Sequence, residues 1–103
     1  MQKIERGDKV AVLYSPGFGA GWSTWNREHT ETLCFDHEIV NAVLAGDAKK
    51  AAEIAEQKCP GVYTGGAYKL KVEWIPKGTI FEITEYDGSE SIEQHADKQY
   101  IQA

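Results

Sequence analysis

The chain has 103 residues, 42% of them hydrophobic and 26% charged, enough for one globular domain with a real core and too few for two. Sixteen acidic against eleven basic residues leave a formal net charge of −5, which argues against duplex nucleic acid as a partner, because a polyanion is held by a basic face. No apolar run approaches the roughly 18 residues of a membrane span, and the opening Met1-Gln2-Lys3-Ile4-Glu5-Arg6 lacks the apolar stretch of a signal peptide. The expectation is a soluble cytoplasmic protein with no membrane partner. Cys34 and Cys59 have no CxxC spacing, and Cys34 stands between Leu33 and Phe35, so both are read as reduced thiols.

In residues 8–14, Val10, Val12 and Tyr14 alternate with Ala11 and Leu13, the pattern of an interior strand covered on both faces. The segment from Ser15 to Asn26 carries three glycines, a proline and the aromatics Phe18, Trp22 and Trp25; it reads as a shaped loop. Asp36 suits an N-cap, with Ile39, Val40, Val43 and Leu44 at helical spacing and Gly46 as a stop, which predicts a helix over 37–45. Asp47 can cap a second helix whose stripe of Ala48, Ala51, Ala52 and Ala55 runs to Pro60-Gly61. Such a stripe favours close helix packing over a ligand surface.

Beyond Gly65-Gly66, Leu70, Val72 and Trp74 alternate with Lys69, Lys71 and Glu73, as in a half-buried antiparallel strand. Residues 79–86 read as the next strand, and Asp87-Gly88 as a hairpin turn before Ser89 to Gln94. A further strand falls around Tyr100-Ile101. The fold expectation is α+β: one antiparallel sheet of four to five strands, with a short two-helix hairpin inserted after the first strand.

Gly19-Ala20-Gly21 lacks the glycine, lysine and hydroxyl residue of a phosphate loop, and the third glycine of a dinucleotide fingerprint. The segment instead offers Phe18, Trp22 and Trp25 for stacking, the Asn26 amide for base edges and Arg27 for a phosphate. Gly19 and Gly21 allow close backbone approach. The competing reading has both tryptophans plugging the core and Arg27 as an ordinary surface charge. His29, His37 and His95 with Cys34 have poor spacing for a metal site, and surface or capping roles are preferred. The acids Glu82, Glu85, Asp87, Glu90 and Glu93 read as a solvated strand face, with Asp87 at the tip able to accept hydrogen bonds from a ligand hydroxyl or amine. Neither a catalytic set nor a cofactor is expected.

The stretches from Gly17 to Asn26, Phe35 to Val40, Trp74 to Thr79 and Glu85 to Glu90 together resemble the first Thoeris anti-defence family of phage proteins, sponges for cyclic ADP-ribose signals. The resemblance covers most of the chain in order. It implies a homo-oligomer that holds a cyclic nucleotide made by a bacterial TIR enzyme near its subunit interfaces, uncleaved, and some related members hold cyclic oligonucleotides. Two arginines and a net charge of −5 are sparse for a pyrophosphate, so backbone N–H groups, Lys69, Lys71, Lys77 and a neighbouring subunit would have to contribute. The alternative is an interaction module that inhibits a host protein through the Gly/Trp-rich loop, since aromatic anchors dominate protein interfaces.

Overall fold

A computed structural model describes residues 2–95. It is an α+β fold of five strands and three α-helices. Strands β1 (Glu5–Arg6), β2 (Lys9–Tyr14) and β3 (Lys71–Pro76) form an antiparallel sheet in the order β1-β2-β3. Strands β4 (Ile80–Tyr86) and β5 (Ser89–His95) form a separate antiparallel pair. The helices are α1 (Thr30–Phe35), α2 (His37–Leu44) and α3 (Ala48–Lys58). No helix among the described residues is long and apolar enough to cross a membrane.

The expected interior strand is β2, and its alternation explains the layering. Ala11 and Leu13 enter the larger core with Trp22, Leu33, Ile39, Val40, Ile54 and Ala55. Val12 points the other way and joins Cys34 and Ile75, against which Phe35, Phe81, Ile83 and Ile92 pack. The central strand is therefore covered by helices on one face and by the β4–β5 hairpin on the other.

Two expectations need correcting. The strands do not make one sheet, because Gly78 takes φ 81° and the Lys77 N–H donates to the Asp8 carbonyl at 2.8 Å. The chain leaves β3 at that turn and lays β4–β5 across the apolar face of β2 instead of extending the ladder. The two-helix hairpin is present as α2 and α3, but a third helix precedes it and it follows the second strand, since the short β1 comes first. Helix α1 holds two β-branched threonines and has no side-chain cap at its start, so neither propensity nor capping announces it. The strand expected around Tyr100-Ile101 lies outside the described residues.

The helical hairpin follows its local signals closely. The Asp36 carboxylate accepts the N–H groups of Glu38 and Ile39 at 3.1 and 3.2 Å, and Asp47 accepts that of Lys50 at 3.0 Å. Lys58, at the end of α3, closes on Asp36 at 2.8 Å and on Glu38 at 2.7 Å, and hydrogen bonds to these two carboxylates raise its pKa above the ordinary 10.5. Ala51 and Ala55 are fully buried, as the small-residue stripe requires. Both cysteines are free and buried. Loss of water pushes the Cys34 thiol up to about 11, so it is an inert, neutral group.

Candidate functional site

After β2 the chain runs through residues 15–26 and folds back over the tip of the β4–β5 hairpin. The centre of this arrangement is Glu90, 1% exposed. Its Oε1 accepts the Ser15 N–H at 2.9 Å. Its Oε2 accepts the N–H of Trp22 at 2.7 Å, the N–H of Thr24 at 3.1 Å and the Thr24 hydroxyl at 2.6 Å. These four donors, three on Oε2 and one on Oε1, compensate the buried carboxylate for the water it has lost. The solvated-face reading holds for Glu82, Glu85, Asp87 and Glu93, which are exposed, and fails for Glu90. The register sets Glu85 opposite Glu90 on the face of the inward Ile83–Ile92 pair; what separates them is that the 15–26 loop covers Glu90, while the exposed Glu85 accepts only the Gly88 N–H of its own turn at 2.8 Å.

Backbone contacts complete the clasp. The Gly19 N–H donates to the Asp87 carbonyl at 2.6 Å and the Gly21 N–H to that of Gly88 at 2.8 Å. The Ser89 hydroxyl donates to the Pro16 carbonyl and the Ser15 hydroxyl to that of Gly66 at 2.9 Å. Two glycines make these approaches possible. A methyl at Gly66 would overlap the Gly21 carbonyl, and one at Gly88 would meet Trp25, Ala20 and Gly19. Asp87 and Gly88 both have positive φ, 55° and 83°, which gives the two-residue turn the twist a hairpin needs.

The residues singled out from the sequence separate into two groups. Trp22 has no exposed surface; its ring fills the core and its Nε1 donates to the Leu33 carbonyl at 2.7 Å. It therefore presents no stacking face to solvent. The amides of Gly19 and Gly21 are spent on the hairpin, and Asp87 and the 77%-exposed Phe18 lie at that same tip. Trp25, Asn26 and Arg27, by contrast, line a common cleft of about 340 Å³, opposite Pro60, Gly61 and Val62 and beside His29.

That cleft is built by a local turn and by contacts to Tyr63. Trp25 ends a 3-10 turn (Ser23–Trp25), packs its ring over Gly21, and meets Tyr63 with ring centroids 5.3 Å apart. Asn26 pins the opposite wall: its side chain donates to the Tyr63 and Trp22 carbonyls at 2.9 and 2.8 Å and accepts the Tyr63 N–H at 2.9 Å. Its amide is thus a brace and not a free base-reading group. Arg27 is exposed, and among the described residues it joins no ion pair. It also borders a second cleft of about 300 Å³ whose floor is Cys34, Phe35, Phe81 and Ile83. Of the lysines considered for phosphate contact, Lys77 is engaged with Glu5 at 2.6 Å, while Lys69 and Lys71 are exposed.

Sequence reasoning missed Tyr63, Tyr68 and Tyr86. Tyr68 and Tyr86 are 68% and 77% exposed. Tyr63 ties its hydroxyl to the Gly19 carbonyl at 3.1 Å, and Tyr86 directly precedes the Asp87 turn, to which the Gly19 N–H next to Phe18 is bonded. The cleft is open, with Trp25 on its wall and Arg27 at its rim. No family profile, no characterised protein and no solved structure matches this chain.

Proposed function

We propose that the protein binds a cyclic nucleotide immune signal, a cyclic ADP-ribose isomer or a cyclic oligonucleotide, and sequesters it without cleavage. In this reading it acts in the host cytoplasm as a phage-type anti-defence protein, as a homo-oligomer whose neighbouring subunit adds phosphate contacts. The observation that carries it is the pairing of the partly exposed Trp25 ring with the unpaired Arg27 in one cleft of about 340 Å³, a volume within the usual range for small-ligand sites. Trp25 offers a face for a purine and Arg27 a fork for a phosphate. The scarcity of cations matters less for a small ligand than for a polymer, whose binding grows with every phosphate neutralised.

Calorimetry with cyclic ADP-ribose isomers and cyclic di- and trinucleotides tests it directly. Saturable binding, lost in Trp25→Ala and Arg27→Ala, with the ligand recovered intact after heating, supports the reading; no heat from any member of the panel overturns it. The exposed aromatics Phe18, Tyr68 and Tyr86 favour a second reading, an interaction module that inhibits a host protein through the Gly/Trp-rich loop. A stoichiometric host partner released by Phe18→Ala and Tyr86→Ala, with no nucleotide response, would establish that alternative.

A further inference from the structure

The outer face of the β4–β5 hairpin carries an arrangement unrelated to the clasp. Glu82 and Glu93 are direct partners in the antiparallel register, and like charges placed opposite one another destabilise a strand pair. His95 follows Glu93 by two residues and so shares its face, with its Nε2 3.3 Å from the Glu82 Oε1. One donor atom from each of the three lies within 4.8 Å of the others. Among the described residues neither carboxylate pairs with a lysine or arginine.

We propose that Glu82, Glu93 and His95 form a binding site for one divalent transition-metal ion of the zinc type. Three observations converge on a cation rather than on a merely solvated face. The third donor is an imidazole, the ligand that separates zinc-type ions from magnesium and calcium. The paired register holds the two carboxylates together whether or not they repel, and a dication is the partner that turns this repulsion into attraction. All three donors stand on adjoining strands, which fix their spacing better than a loop would. Three protein ligands leave further positions for water, as in an open, exchangeable site. A bound ion would bridge β4 to β5 and strengthen the hairpin from its outer side.

The set was invisible to spacing arguments because Glu82 reaches His95 across the strand pair, 13 residues away in sequence. The test is calorimetry of the full chain with zinc chloride in a non-chelating buffer, followed by cobalt(II) as a spectroscopic substitute. One ion per chain, a thermal midpoint that rises with zinc, and a visible cobalt spectrum of nitrogen and oxygen ligation are expected. Glu93→Gln and His95→Ala, both surface changes checked for folding by circular dichroism, should each weaken zinc roughly tenfold or more, and magnesium should not compete. Absence of saturable binding below millimolar zinc, or equal affinity in His95→Ala, overturns the proposal.

Discussion

The α2–α3 hairpin and the 15–26 loop are held by opposite means. The helices stand on contacts a few residues apart: Asp36 caps α2, Asp47 caps α3, and Lys58 returns to Asp36 only 22 positions away. The loop has local turns of its own, with the Ala20 N–H on the Gly17 carbonyl and that of Asn26 on the Ser23 carbonyl, but its place in the fold is set from afar. Its anchor, Glu90, lies 66 to 75 residues away from the groups it binds, and Gly66 and Gly88 clear space for it from two further segments. A region of the first kind forms from its own sequence; one of the second kind takes its shape from the rest of the fold.

The sharpest way to break this comparison is Glu90→Ala. It strands three buried backbone N–H groups, and the expected cost is about 3 kcal/mol or more, read from the denaturant midpoint. Hydrogen exchange should then show residues 15–26 losing protection while α2 and α3 keep theirs; equal loss in both regions would refute the separation. Gly66→Ala comes next, at roughly 2 kcal/mol, because the Gly21 backbone must shift to admit a methyl. Asp36→Ala is the reciprocal experiment. Loss of the α2 cap costs about 1 kcal/mol, and exchange should quicken in the helices while the loop stays protected.

Arg27→Ala should barely alter stability, within about 0.5 kcal/mol, while weakening any phosphate-bearing ligand by about tenfold or more. A change in melting as large as that of Asp36→Ala would mean that Arg27 is structural. Alkaline pH acts through Cys34. Cys34 holds its proton to about pH 11 in the fold, against an ordinary value of 9.0. The native state thus binds more protons between these values, and the stability Cys34 contributes is full below pH 9 and falls as pH rises toward 11. Denaturant midpoints measured from pH 8.5 to 10.5 should decline less steeply in Cys34→Ala.

The same division explains what could be read from the sequence. The interior strand, the two capped helices and the Asp87-Gly88 turn are written in alternation, caps and turn residues, and they appear within a residue or two of the expected places. The split into two sheets was not legible, because the turn after β3 is set by a bond from Lys77 to Asp8 across the sheet. At the candidate site, Trp25 and Arg27 stand together in the cleft, but the fate of Trp22 depended on which tryptophan β2 and α1 would cover. Glu90 was the most recoverable omission. Alternation from Ile92 already put it on the inward face, and an acid buried there needs hydrogen-bond donors, which the backbone of the glycine-rich loop supplies.

The buried Glu90 carboxylate also has a bearing on biosynthesis. The ribosome makes Trp25 and Arg27 early, yet the residue that organises their loop comes more than 60 positions later. Contacts of such sequence separation close late, after the local elements have formed. A nascent chain halted before Glu90 therefore carries the 15–26 loop without its long-range anchor, and the loop takes its final place only once the last hairpin has been synthesised and docked.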